Sequence, residues 1–185
     1  MIKVIAGSRR GKTLRTLEGL DTRPTANRVR EALFNIVQFD LPGAVVLDLF
    51  AGSGALAIES LSRGVRRAVL CDASRQAVDI IRANLKSCAF EAELFRSDFR
   101  ICLSTLTSRN ERFDIIFLDP PYAMAEERDL AIKLIFEGGL LAENGYLVLE
   151  TEVGQDPQVP SCAEIFDERR YGKTKLSRIR RRSLT

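Results

Sequence analysis

Histidine is absent from all 185 residues. Its absence removes Ser-His-Asp and Cys-His machinery, His-ligated zinc and the usual acid/base switch near neutrality. Cysteine is scarce too: Cys71, Cys88, Cys102 and Cys162 stand singly, with no C-x-x-C pair. That speaks against a thiolate metal cluster or dithiol redox site and for reduced, mostly buried thiols. No apolar run approaches the roughly 20 residues that cross a bilayer. The opening MIKVIAGSRRGKTL lacks an apolar core followed by a small-residue cleavage site. The expectation is a soluble cytoplasmic protein, a monomer, with no membrane partner and no metal.

What is present suffices for one packed domain, since 45% of the residues are apolar and chains of about 150 residues already bury roughly 70% of their unfolded surface. The net charge of +3 hides a segregation. Residues 1–30 carry eight Lys and Arg against two acids, residues 169–182 carry eight against none, and the middle is acidic. Two basic ends brought to one face would attract a polyanion, because Lys and Arg contacts to phosphates release condensed counterions.

From residue 44 onward, short apolar runs alternate with helical patterns. AVVLDLF (44–50), RRAVLCD (66–72), RFDIIFLD (112–119) and GYLVLET (145–151) are too short for helices and too continuously apolar for a half-exposed sheet, so they predict strands covered on both faces. EAELFRS (91–97) adds another. Between them lie helices over 53–63, 74–87, 99–108 and 126–137. The alternation predicts a doubly wound α/β fold with a mostly parallel sheet and helices on both faces. Residues 2–6 and 13–17 predict a small N-terminal hairpin, followed by a helix over 26–38. AEIFDERRYG and KLSRIRRRS predict a closing antiparallel hairpin on the sheet edge. The expected organisation is a single domain over 1–185, with an N-terminal hairpin and helix (1–40) before a Rossmann-like core (41–185).

Chemistry concentrates at strand ends. Asp48 closes the first strand of the core and runs into Phe50-Ala51-Gly52-Ser53-Gly54, a turn where glycine lets backbone approach a ligand. Alone, this turn fits a nicotinamide dinucleotide as well as an adenosyl cofactor. Asp72, followed by Ala73, is spaced to grip a ribose in either. Asp119-Pro120-Pro121-Tyr122 ends a parallel strand and so emerges on the same sheet edge as the glycine turn. The Asp119 carboxylate and the Pro120 carbonyl form an acceptor-only pair suited to an exocyclic amino group, and Tyr122 offers a flat face for a flipped base. Ser97-Asp98-Phe99 follows another strand. Asp98 there suits an adenine amino group and equally a helix N-cap, and Phe99 could cover the ring.

In order and spacing, LDLFAGSGALAIESLSRG, SDF, FDIIFLDPPY and TRPTANRVREALFNI resemble the signature segments of the bacterial RsmD-type 16S ribosomal RNA guanine-N2 methyltransferases. The resemblance implies a class I S-adenosylmethionine-dependent fold with a seven-stranded sheet and an antiparallel last strand. Its implied activity is methyl transfer to a guanine N2 in 16S rRNA or the assembling small ribosomal subunit. By motif it places Asp48, Gly52 and Gly54 around the methionine part of the cofactor, Asp72 at the ribose, Asp98 at the adenine, and Asp119, Pro120 and Tyr122 at the base. Three positions depart from the pattern: Asp72 stands where glutamate is common, Gly11-Lys12 where Gly-Arg is expected, and the tail is more basic than usual.

Arg9, Arg10, Lys12, Arg23, Arg28 and Arg30 are the candidate RNA contacts, with Arg23 and Arg30 equally able to order the cofactor loop. Two other readings remain open: an amino-methyltransferase acting on adenine N6, and a non-catalytic RNA-binding assembly factor that retains a cofactor pocket. A hydride-transferring enzyme is disfavoured, because no acid/base for that chemistry lies near the glycine turn.

Overall fold

The computed structural model describes residues 2–17 and 24–182. After the short strands β1 (Ile2–Lys3) and β2 (Thr13–Leu14), five apolar runs form the parallel part of the main sheet. They are β3 (Val45–Asp48), β4 (Arg67–Asp72), β5 (Glu93–Arg96), β6 (Phe113–Leu118) and β7 (Leu141–Glu152). Their side chains alternate between two cores. Val46, Leu70, Ile115 and Phe117 pack against α1 (Pro24–Val37), α2 (Ala55–Ser62) and α3 (Arg75–Cys88). Val45, Leu47, Val69, Ile116 and Leu118 pack against α4 (Phe99–Ser108) and α5 (Ala125–Glu137). Burial on both faces is why β3, β4, β6 and the later part of β7 are apolar at nearly every position, whereas the edge strand β5 is not.

Two strands from the tail, β8 (Ala163–Tyr171) and β9 (Thr174–Arg181), complete the sheet, whose order is β5-β4-β3-β6-β7-β9-β8. The chain winds outward from β3 through β4 to β5, then returns to β6 on the other side of β3. This reversal opens a crevice beyond the carboxyl ends of β3 and β6, the place where open α/β sheets bind ligands. The tail forms the expected hairpin, but only β8 is the edge. β9 inserts antiparallel between β7 and β8. Its basic run is therefore partly neutralised in the sheet: Arg178 pairs with Asp167 at 3.1 Å and Arg180 with Glu164 at 2.9 Å, while buried Lys175 meets Asp156 and Glu168.

Two further boundaries differ from the sequence reading. β7 starts at Leu141 rather than 145, because a register break between Phe113 and Ile115 lets Leu141 pair with Phe113 before the main ladder begins at Tyr146. The N-terminal hairpin is shorter than expected, with β1 and β2 paired over only two residues each. The cause is Glu59 on α2. Its fully buried carboxylate accepts the backbone N–H groups of Ile5 at 2.6 Å and Ala6 at 3.0 Å, turning the strand aside, and also pairs with Arg63 at 2.7 Å. Ser62 adds to the clamp, donating to the Ala6 carbonyl and accepting from the Arg9 N–H.

Removing one partner of a buried ion pair leaves its other groups unsatisfied, at a cost of about 3–5 kcal/mol. Glu59→Ala is expected to lose roughly that much in urea unfolding, whereas the exposed Glu137→Ala, whose pair with Lys133 spans 3.9 Å, should change stability by less than about 0.5 kcal/mol.

Candidate active site

Asp48 ends β3 with its side chain buried, one oxygen accepting the Ala57 N–H of α2 at 3.3 Å. Burial, with added repulsion from Asp119 and Asp72, pushes its pKa up to about 7. The chain then turns through Gly52 and Gly54, at φ values of 55° and 75°. Both lie in the left-handed region that glycine tolerates without strain. A side chain at Gly54 would press within 3.3 Å of Leu70 and Ile81, whereas the space beside Gly52 is open. Helix α2 therefore begins only at Ala55, two residues later than its apolar pattern predicts.

Asp72, at the end of β4, holds this turn in place. One carboxylate oxygen accepts the Gly52 N–H and the other the Ser74 N–H, each at 2.8 Å. The shorter acid thus braces both the glycine turn and the start of α3, where Ser74 caps the Ala77 N–H. Ala73 is exposed beside it. At the end of β5, Asp98 is the N-cap of α4. It accepts from the Arg100 N–H and pairs with the Arg100 guanidinium at 3.0 Å. Ser97 sits by Cys71, which donates to its carbonyl. Phe99 is buried at 4% exposure and packs on Phe50 with ring centroids 5.4 Å apart. Phe50 is the partly open ring of the two, so Phe99 supports it from beneath.

Asp119 follows β6, the neighbour of β3 across the crevice. The residue is open to solvent along the crevice, yet surrounding protein desolvates the carboxyl and raises its pKa to about 6. Pro120 is buried, and Pro121 and Tyr122 are exposed. The Tyr122 hydroxyl lies 3.3 Å from both Glu150 Oε1 and Thr174 Oγ1. Glu150, near the end of the YLVLET run, is a site residue that the sequence reading does not include. A signal for it exists: an acid at the carboxyl end of the strand after Asp-Pro-Pro-Tyr shares that sheet edge. Burial and Asp119 push Glu150 up to about 8.

Asp48, Asp72, Asp119 and Glu150 thus share one edge, and among the described residues no cation perturbs Asp48 or Asp119. The edge favours a positively charged ligand, which would lower the repulsion and the raised pKa values together.

The basic candidates separate. Arg9 is tied down, its Nε donating to the Cys88 carbonyl at 2.6 Å and its guanidinium 5.3 Å from the Phe90 ring. Arg10, Lys12 and Arg28 are exposed. Arg30 is half-buried and donates to the Lys3 carbonyl at 2.7 Å, burial lowering its pKa. Arg23 lies outside the described residues. A second unanticipated residue, buried Asn84 on α3, connects this segment to the site. It exchanges hydrogen bonds with the Arg15 backbone and donates to the Ser53 carbonyl of the glycine turn at 2.9 Å.

Comparison with known proteins agrees with this arrangement. Residues 2–180 match the family described as Conserved hypothetical protein 95. Ribosomal RNA small subunit methyltransferase D of Escherichia coli (strain K12) is 34% identical over 176 residues, covering 93% of this chain and 86% of that protein. The Haemophilus influenzae protein of the same name is 30% identical over 175 residues, covering 92% and 89%. The solved structure of a putative methyltransferase, yhhF, from Escherichia coli has a TM-score of 0.84 at 31% identity, covering 99% of this chain and 99% of that one. Sheet order, turn geometry and a match along nearly the whole sequence together show that the chain belongs to the Conserved hypothetical protein 95, or RsmD, family and has its Rossmann-like class I methyltransferase fold.

Proposed function

We propose that this protein is an S-adenosylmethionine-dependent methyltransferase that modifies the exocyclic N2 of a guanine in the 16S rRNA of the small ribosomal subunit. The acidic edge carries the reading. Asp48 and Asp119 flank the crevice at the strand reversal, the charge of Asp119 raises the pKa of Asp48, and the Asp119–Pro120 acceptor pair stands directly on that edge. The names of the two curated relatives, which specify small-subunit ribosomal RNA, support the substrate class.

When bound, S-adenosylmethionine supplies an electrophilic methyl on a positively charged sulfur. In this reading Asp48 and the backbone of Phe50, Ala51, Gly52, Ser53 and Gly54 hold its methionine portion. Asp72 and Ala73 hold the ribose, while Ser97, Asp98 and Phe50, backed by Phe99, surround the adenine. Asp72 does this with the oxygens that already brace Gly52 and Ser74, so turn and cofactor site are ordered together. Asp119 and the Pro120 carbonyl accept the two amine hydrogens of the guanine, turning the nitrogen lone pair out of conjugation. Pro121 fixes the turn, and Tyr122 stacks on the base. Asp119 stabilises the positive charge that develops on nitrogen and, with its raised pKa, can take the proton the nitrogen must shed. Positioning of this kind is worth up to about 7–11 kcal/mol, so the lack of histidine is no obstacle.

Incubation with labelled cofactor and either unmodified small subunits, free 16S RNA or DNA, followed by mass spectrometry of the nucleosides, tests the reading directly. The expected product is N2-methylguanosine from the ribosomal substrates. Label on adenine N6, or none on any RNA, would replace it.

Asp119→Ala should lower single-turnover transfer by at least about 100-fold while cofactor affinity changes only a few-fold. Because Asp119 must be ionised to accept, the wild-type rate should climb with pH through about 6 and then level off. A flat profile from pH 5 to 7 would contradict this role.

For RNA, reversing the charge of Arg10, Lys12 and Arg28 together should weaken binding and flatten its salt dependence, by a slope of roughly 0.7–0.9 for each phosphate that is no longer neutralised. Filter binding across a salt series measures it, and an unchanged slope would exclude this surface.

A further inference from the structure

Glu150 belongs to neither the glycine turn nor the Asp-Pro-Pro-Tyr segment, yet the sheet delivers it to the latter. Strands β6 and β7 are parallel, with Leu118 opposite Leu149. The next residues, Asp119 just past the end of β6 and Glu150 still within β7, therefore lie beside each other. The Tyr122 hydroxyl donates to Glu150 Oε1 at 3.3 Å and lies equally close to Thr174 Oγ1. Thr174 is buried, on β9 opposite Glu152 of β7. The tip of Tyr122 is thus tethered to two adjacent strands, while the residue remains 38% exposed. A tyrosine serving only as core would have no need of an open face. One serving only as a mobile stacking surface would have no need of two partners on its hydroxyl.

We propose that Glu150 is a positioning residue that, together with Thr174, fixes the Tyr122 ring beside Asp119, so that a stacked base presents its amine to the Asp119–Pro120 acceptor pair. The inference rests on the base-methylating reading and adds to it the residue that sets the angle of the stacking platform. A ring free to tilt would carry a stacked base through many orientations, and misplacement of a reacting atom by about 1 Å can cost about 100-fold in rate. Glu150 also keeps its proton near neutrality, because burial and the neighbouring Asp119 charge disfavour its ionised form. Asp119 then remains the ionised member of the pair, free to accept from the substrate.

A double-mutant cycle on the full chain tests the assignment. Glu150→Ala and Tyr122→Phe should each lower kcat on 16S RNA by about tenfold or more, with S-adenosylmethionine Kd within about twofold of wild type. The double variant should lose little beyond the worse single variant. Glu150→Gln, which keeps an acceptor oxygen for the tyrosine, should recover most of the loss. Additive losses, a wild-type kcat in Glu150→Ala, or a parallel loss of cofactor affinity would overturn the proposal.

A second measurement needs no methyl transfer. The ultraviolet titration missing in Tyr122→Phe reports the Tyr122 phenol, whose pKa is raised by burial and in part by Glu150. Glu150→Ala should move that titration to lower pH, and an unmoved titration would refute the contact. This result stands even if the RNA substrate is reassigned, so failure of the proposed function and failure of the Glu150 assignment can be told apart.

Discussion

The desolvation of carboxyl groups gathered on one sheet edge, with their mutual repulsion added, is the constraint around which this molecule is organised. Asp48, Asp119 and Glu150 are all held above their ordinary ionisation range by burial, and Asp48 and Glu150 are pushed further by their acidic neighbours. Elsewhere the protein neutralises buried charge with its own counter-ions: Glu59 with Arg63, and Lys175 with Asp156 and Glu168. At this acidic edge no such counter-ion stands among the described residues. Gathering and desolvating these carboxyls costs stability and creates a place where a cationic ligand is favoured.

The fold explains how the cluster is assembled and why it persists. Parallel strands release their following residues on the same side, and the reversal between β3 and β6 leaves room between Asp48 and Asp119. The rest of the architecture makes that geometry rigid. Asp72 locks the glycine turn to α3, and Asn84 locks the same turn to the basic N-terminal segment through Arg15. The buried Glu59 clamps that segment to α2. The basic N-terminal segment is thereby joined to the glycine turn by hydrogen bonds, although the two lie far apart in sequence.

Much of this is legible in the sequence. Continuous apolar runs identify the strands buried on both faces, and Gly52 to Gly54 and Asp119 to Tyr122 mark the candidate site because glycine turns and paired prolines constrain the backbone locally. What escapes depends on partners distant along the chain. The hairpin at residues 2–14 reads as longer than it is because nothing local reveals that Glu59 takes the N–H groups of Ile5 and Ala6. Nor does the sequence reveal that the Arg9 side chain is anchored on the Cys88 carbonyl and the Phe90 ring. Asp98 is an N-cap with Arg100 beside it, the half of its double reading that the backbone alone can satisfy. Glu150 is hidden by its strand: an acid ending an apolar run looks like a boundary until the register with β6 sets it next to Asp119. The basic tail misleads for the opposite reason, since its charges alternate across a hairpin whose partner strand supplies the acids.

The most direct test of the acidic edge is calorimetric binding of S-adenosylmethionine and of S-adenosylhomocysteine, which lacks the sulfonium charge, near pH 7 in buffers of different ionisation enthalpy. Carboxyls held partly protonated by desolvation and repulsion should give up protons when a positive sulfur arrives, so S-adenosylmethionine should release more protons than S-adenosylhomocysteine. Equal release from both ligands, or net proton uptake with S-adenosylmethionine, would contradict the account.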